Sequence, residues 1–203
     1  MPSERVGPVA GIVLAAGAST RMGRNKLFVE LEGEPLLRRA VRRVSDAGLD
    51  RVIVVLGHEA DRVRAGLLGL RCEPVFNADY ERGVNSSLRT GIRAVSEEAA
   101  AAVVVLADMP FVTTAMIATL VEKYRRSAAP LVISDYGGVN APPALYDRSL
   151  FGELLSMEGE GCGKQVVKRH RDEALSVSWP VEALTDLDVL EDYERVKALV
   201  ELR

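Results

Sequence analysis

The chain has 203 residues, 48% hydrophobic and 27% charged. That balance supports one sizeable core and excludes disorder and fibrous repeats, since domains typically run about 100–200 residues. A net charge of −3 leaves no basic excess for a nucleic-acid or membrane-surface footprint.

Two cysteines, Cys72 and Cys162, and two histidines, His58 and His170, build neither a disulfide framework nor a zinc or His-rich metal site. The first element is the apolar run Val9–Ala15, the pattern of a strand buried on both faces. With its extension to Ala18 it is too short to span a bilayer, which needs about 20 apolar residues, and it lacks a basic leader. The expectation is a cytoplasmic protein with no membrane and no nucleic-acid partner.

This strand runs into Leu14-Ala15-Ala16-Gly17-Ala18-Ser19-Thr20-Arg21-Met22-Gly23, with Lys26 shortly after. Small residues let backbone N–H groups approach an anion, and Arg21 and Lys26 add charge to the same oxygens. Gly11, Gly17 and Gly23 are spaced for neither the P-loop nor the dinucleotide fingerprint. Next, Leu36–Ala47 repeats Leu36, Leu37, Ala40, Val41 and Val44 at helical spacing. Arg38, Arg39, Arg42 and Arg43 take the other side and read as a solvated face. The alternation continues through a strand Val52–Leu56, a helix Ala60–Leu68, a strand Val75–Phe76 and a helix Ser86–Val95. A strand Val103–Ala107, a helix Ala115–Tyr124 and a strand Leu131–Ile133 come after them. Such alternation predicts an α/β fold with a Rossmann-like, doubly wound, mostly parallel sheet. Its ligand crevice lies at the carboxyl ends of the strands, just after Ala15, Leu56, Phe76 and Ala107.

Beyond about residue 134 the pattern weakens. Asp135–Pro143 contains two Gly and two Pro and reads as loop. Helical patterns near Asp147–Ser156 and Cys162–His170, a strand-like Ala174–Trp179 and a final helix from Val189 to about Glu201 complete the chain. No linker-like composition or repeat divides it, so residues 1–203 are expected to form one domain with a small lobe closing over the crevice.

Two stretches bring carboxylates. Asp108 ends a buried strand, held there by Pro110, which cannot continue the ladder. An acid at that position suits Mg²⁺, which takes carboxylate, water and phosphate oxygens. Thr113 or Thr114 can cap the next helix, so Asp108 is not needed for that. Asp188 is either a second metal ligand or the N-cap of the last helix, with Asp186 as its rival. Asn77, Gly83, Asn85, Ser86 and Ser87 come after the third strand; neutral groups suit a nucleobase edge, and Asn85 or Ser86 can also cap a helix. His58 reads as a surface or packing residue. Gly159–Lys164 is a glycine-rich segment with a lysine at a helix start, a pattern that can hold a phosphate.

The first loop, Leu-Ala-Ala-Gly-x-Ser-x-Arg-Met-Gly-x-x-Lys, resembles the signature of nucleotidyltransferases that act on molybdenum cofactor. It is most similar to the cytidylyltransferase branch, the MocA-like proteins, and the resemblance extends over nearly the whole chain. It implies a nucleotide-binding half, residues 1–134, and an acceptor and metal half, residues 135–203. It also implies a nucleotide site of Leu14, Ala15, Ala16, Gly17, Ser19, Arg21, Lys26, Asn77, Gly83, Ser86, Ser87 and Asp108. Arg21, Lys26 and Asp108 would be catalytic, and Asp108 with Asp188 would hold Mg²⁺. At the second acidic motif Val189 and Leu190 replace the family's Thr-Pro. Pro143, Glu160 and Lys164 fall on acceptor-side segments, with Glu160 where the family carries Asp. Ala16 stands where related guanylyltransferases usually carry Gly, which favours cytosine.

The implied reaction joins CTP and a molybdopterin-type cofactor and releases pyrophosphate. The attacking phosphomonoester has its second pKa near about 6, so it is ionised at neutral pH and needs no strong base. The implied partners are CTP, the cofactor, and transiently a molybdenum hydroxylase or its chaperone. Alternatives are another nucleotide such as GTP or another acceptor, an NAD(P)H-dependent oxidoreductase of heteroaromatic compounds, or a non-catalytic cofactor carrier.

Overall fold

The computed structural model describes residues 5–19, 25–157, 161–185 and 192. In chain order the strands are β1 (Val9–Ala15), β2 (Glu30–Leu31), β3 (Glu34–Pro35), β4 (Arg51–Leu56), β5 (Glu73–Phe76), β6 (Ala101–Leu106), β7 (Leu131–Tyr136), β8 (Val139–Asp147) and β9 (Leu175–Ser178). The helices are α1 (Leu36–Asp46), α2 (Ala60–Gly66), α3 (Val84–Ala94), α4 (Thr114–Arg125), α5 (Phe151–Ser156) and α6 (Cys162–Arg169). Apart from Asp192, the expected final helix lies outside the described residues.

Seven strands form one sheet in the order β5-β4-β1-β6-β8-β7-β9. β1 pairs in parallel with β4 on one edge and β6 on the other, which explains why every one of its residues is buried. β5 continues in parallel beyond β4. β8 runs antiparallel to both β6 and β7, and β9 is parallel to β7. The carboxyl ends of β1, β4, β5 and β6 therefore share one edge, the expected crevice. β2 and β3 make a separate small ribbon.

Side chains alternate across a strand, so β1 feeds two cores. Val9, Val13 and Ala15 meet Leu37 and Val41 of α1, Val63 of α2, and Ile117 and Leu120 of α4. Ala10, Ile12 and Leu14 meet Leu88 and Ile92 of α3, Leu154 of α5 and Val166 of α6. Thr113 is the N-cap of α4, its hydroxyl accepting from the Met116 N–H at 3.2 Å. Among the described residues no helix is long and apolar enough to cross a membrane.

Three expectations are corrected. Asp135–Pro143 is not a loop but most of a β-hairpin. Gly137 and Gly138, at φ +66° and +94°, form the tight turn between β7 and β8, a backbone that two-residue hairpins require. Pro142 and Pro143 fit inside β8 because the register shifts there: Ala141 faces Ser134 and Ala144 faces Ile133. The two prolines sit at this bulge, where no ladder N–H is needed.

Of the four arginines of α1 only Arg42 is exposed, where it pairs with Glu34; the other three are not a solvated face. Arg38 donates to the carbonyls of Gly66 and Leu68 (2.7 and 3.0 Å), and Arg39 pairs with Glu32 at 2.7 Å. Arg43 donates to the carbonyls of Pro110 and Val112. Long side chains with several N–H donors reach the carbonyls that neighbouring turns leave over. Finally, α3 begins at Val84 with Gly83 as its N-cap, so neither Asn85 nor Ser86 caps it.

α6 is tied to α5 by charge. His170 Nε2 lies 2.7 Å from Glu153 Oε2, and Arg169 pairs with the same carboxylate at 2.9 Å. Glu173 faces the other ring nitrogen at 3.3 Å. The hydrogen bond to Glu153, followed by that to Glu173, raises the His170 pKa, and the bond to His170 lowers that of Glu153.

Two consequences are measurable. A Cβ on Gly91 of α3 would lie 2.5 Å from Ile12 Cγ2 and 3.3 Å from Val55 Cγ2, both in the sheet core. Gly91→Ala should therefore destabilise the protein by about 1–3 kcal/mol in urea unfolding, although alanine is the better helix former. For His170, stability gained from a raised folded pKa is complete below its ordinary value of 6.5 and is lost as pH rises through the folded value. Glu153's share is lost as pH falls through its lowered value. His170→Gln should thus be more destabilising at about pH 6 than at about pH 9, read as the difference in urea midpoint from wild type.

Candidate active site

The loop after β1 leaves the sheet at the shared carboxyl edge. Ala16 is buried, and its carbonyl accepts from the His58 N–H at 3.1 Å. Gly57 makes this contact possible: a Cβ there would lie 2.7 Å from the Ala16 oxygen and 2.5 Å from Tyr80 Cβ. His58 serves here through its backbone. Ala15 is buried in the core, whereas Gly17 and Ala18 are exposed at the crevice. Ser19 adopts φ +51°, and its hydroxyl accepts from the Lys26 N–H at 3.2 Å, closing the loop on itself. Arg21 lies outside the described residues.

Asn25 sets the direction of the chain beyond the loop. Its Oδ1 accepts from the Leu27 N–H at 3.1 Å and its Nδ2 donates to Glu59 at 2.8 Å. This anchors a single 3-10 turn, Lys26–Phe28, and aims Lys26 across the edge. Lys26 Nζ meets Asp108 Oδ2 at 2.6 Å, with the two side chains only 12% and 19% exposed. Asp108 itself is placed from two sides. The Ala107 N–H donates to the Leu14 carbonyl at 3.2 Å, tying the end of β6 to β1. Arg43 holds the carbonyls of Pro110 and Val112 just beyond it, the latter at 2.7 Å. Burial, and then the neighbouring Arg39 and Arg42, lower the Arg43 pKa to about 10, which still leaves it charged at neutral pH.

The base-side residues occupy the end of β5 and the start of α3. Asn77 Nδ2 donates to the hydroxyls of Ser86 (2.8 Å) and Ser87 (3.1 Å), and Ser86 donates to the Gly83 carbonyl. All three polar side chains are buried. Asn77 Oδ1 also accepts from the Asp79 N–H at 3.0 Å, so these bonds shape the turn around Gly83 and fix the start of α3.

A cavity of about 360 Å³ opens beside these groups. Leu14, Leu88, Val104, Leu106, Ile133 and Val167 form apolar walls, and Asn85, Asn140 and Tyr146 bring polar atoms. Lys164, Lys168 and Arg171, all exposed, stand at its mouth. Leu14, expected at the nucleotide, thus lines this cavity. So does Lys164, expected at the acceptor. Pro143 does not: it is buried, and Pro142 lines the cavity instead. Alternation explains the difference, since Pro142, Ala144 and Tyr146 share one face of β8 and Pro143 and Leu145 the other. Glu160, Asp186 and Asp188 lie outside the described residues. Sequence reasoning did not single out Tyr146, Lys168 or Arg171; the spacing of Lys164 and Lys168 on one helical face was the available signal.

An ammonium and a carboxylate that face an anion-ready loop across the carboxyl edge of a Rossmann-like sheet are equipped for phosphoryl chemistry, and the chain is a nucleotidyltransferase. Its residues 11–174 match the family model described as the MobA-like NTP transferase domain, and it belongs to that family.

Several known proteins are similar to this chain. The purine catabolism protein PucB of Bacillus subtilis is 28% identical over 199 residues, covering 92% of this chain and 95% of PucB. The bifunctional protein GlmU of Rubrobacter xylanophilus is 33% identical over 120 residues, covering 58% of this chain and 25% of GlmU. The match thus spans about a quarter of that protein's length. The crystal structure of Rv0371c from Mycobacterium tuberculosis superposes with a TM-score of 0.84 at 26% identity, covering 95% of this chain and 98% of Rv0371c. A second structure of Rv0371c is a complex with manganese, with a TM-score of 0.79 over 94% of this chain and 98% of Rv0371c.

Proposed function

We propose that the chain transfers the cytidylyl group of CTP to the phosphate of a molybdopterin-type cofactor and releases pyrophosphate. The observation that carries this reading is the enclosed Lys26–Asp108 pair at the carboxyl edge of the sheet, in a chain that also has an apolar cavity with a basic mouth. The loop takes the triphosphate and the cavity takes the acceptor.

The residues fit Mg²⁺. One carboxylate at a strand end, completed by phosphate oxygens and water, is the hard oxygen set this cation uses. Asp108 would hold it, with Asp188 or Asp186 as a second ligand. When bound, the cation supplies positive charge against the phosphates. That Rv0371c has a structure in complex with manganese supports a role for a divalent metal.

The chain's own groups do the rest by positioning and charge. Lys26 leaves Asp108 for the triphosphate oxygens, and with Arg21 it offsets the negative charge that grows on the departing pyrophosphate. An ionised oxygen of the acceptor phosphate attacks the α-phosphorus; the bond from that phosphorus to the β-bridging oxygen breaks. No proton has to be removed first. Loop closure by Ser19 and the Arg43 clamp behind Asp108 keep both partners in place, which is where most of the rate comes from in such transfers. Ala16, standing where related guanylyltransferases usually carry Gly, supports cytosine over guanine as the base. Delivery of the product to a molybdenum hydroxylase or its chaperone completes the reading.

Calorimetry with CTP, GTP and ATP, with and without Mg²⁺, tests it. CTP should bind at least about tenfold more tightly than GTP, a difference of about 1.4 kcal/mol, and more tightly with the metal. Asp108→Asn should remove the metal-dependent gain and lower turnover by on the order of 10²–10³-fold. A preference for GTP would keep the chemistry and overturn the base; an Asp108→Asn variant with undiminished turnover would overturn the metal assignment.

A further inference from the structure

Three large tyrosines lie in the core, and two of them have hydrogen-bond partners. Tyr124 donates to Asp147 at 2.6 Å, and Tyr136 donates to the Pro142 carbonyl at 2.9 Å. Tyr146 is as deeply placed, 4% exposed, yet among the described residues its hydroxyl meets no partner. Among the described residues the fully enclosed side-chain polar atom without a partner is Arg39 Nε, not this oxygen, which keeps an opening toward solvent. The hydroxyl is not walled in. Tyr146 lies on the face of β8 that lines the 360 Å³ cavity, together with Pro142 and Ala144. Opposite it, Gly163 of α6 has no side chain; a Cβ there would stand 3.3 Å from the hydroxyl and 3.4 Å from Leu88 Cδ2.

We infer that Tyr146 donates a hydrogen bond to the acceptor substrate, and so selects a flat ring system with a lone-pair atom at its buried end. The inference rests on the reading of this cavity as the acceptor site. The apolar walls suit the faces of the ring. Lys164 and Lys168, one helical turn apart on α6, and Arg171 beside them suit its anionic end at the mouth. Burial raises the tyrosine pKa far above neutrality, so the group is a donor and never a phenolate under ordinary conditions. A ring without the lone pair would leave the hydroxyl unpaired and be rejected on that account. Tyr146 is thus a specificity determinant, in contact with substrate but not with the reacting phosphorus.

The probe is 6-hydroxymethylpterin, whose own fluorescence reports binding to the full chain held saturated with CTP without Mg²⁺. Wild type should bind it. Tyr146→Phe should bind it about 3- to 10-fold more weakly, the equivalent of one neutral hydrogen bond. Gly163→Ala, which covers the hydroxyl without removing it, should weaken binding in the same direction. Neither change should alter CTP affinity. Tyr146→Phe should also leave the urea midpoint of the ligand-free protein unchanged or raised, since it removes only an unpaired buried hydroxyl; a purely structural role would lower it. Equal pterin affinity of wild type and Tyr146→Phe would overturn the donor role. Absence of pterin binding to wild type would overturn the ring-binding inference. CTP titration of the same sample separates the two levels: intact CTP binding leaves nucleotidyl transfer standing, and its loss removes that reading as well.

Discussion

An ammonium and a carboxylate held 2.6 Å apart, each mostly shut away from water, set the terms for the rest of this molecule. Enclosing two charges costs several kcal/mol of solvation per ion, on the order of what their attraction returns. Such a pair is a poor way to stabilise a fold, and the chain surrounds it with restraints that a stabilising contact would not need. Asn25 and Ser19 fix the backbone of Lys26. Arg43 and the β1–β6 ladder fix that of Asp108. What the arrangement maintains is two opposite charges ready to part. In the proposed reaction Lys26 would turn to the triphosphate and Asp108 would hold the cation, so each charge would exchange one partner for another and neither would be left bare in the interior.

The fold was legible in the sequence because its signals are local. Val9–Ala15, Val52–Leu56 and Val103–Ala107 are apolar without alternation, as strands covered on both faces must be, and the structure pairs all three side by side. Pro110 marked the end of β6, and with it the position of Asp108. The hairpin of β7 and β8 was hidden for the same reason. Two glycines and two prolines in nine residues carry the composition of a loop, and only tertiary register shows that the glycines make the turn and the prolines occupy a bulge.

Site residues were legible to the extent that their chemistry is carried by the backbone around them. Asp108 comes just after the end of β6 and Lys26 follows the loop after β1; that the two meet was not read from the sequence. Asn77, Ser86 and Ser87 were read as groups for a nucleobase edge, whereas the structure has Asn77 donating to both serine hydroxyls. Arg43 looked like one of four solvated charges, because spacing along a helix says nothing about carbonyls on another loop. Tyr146 was invisible as a polar group: in sequence it is one more aromatic in an apolar strand, and its distinction is the partner it lacks.

The central place of β1 has a kinetic side. The strand that carries the anion loop has β4 as one neighbour and β6 as the other, and β6 is made only after half the chain has been synthesised. Pairing so distant in sequence is slow to form. Until β6 docks, β1 presents an open, wholly apolar edge, the kind that recruits strands from other chains. The same docking event brings Asp108 to Lys26. The edge is therefore sealed in the step that assembles the catalytic pair, and a molecule that has escaped aggregation at this strand is one whose site is already built.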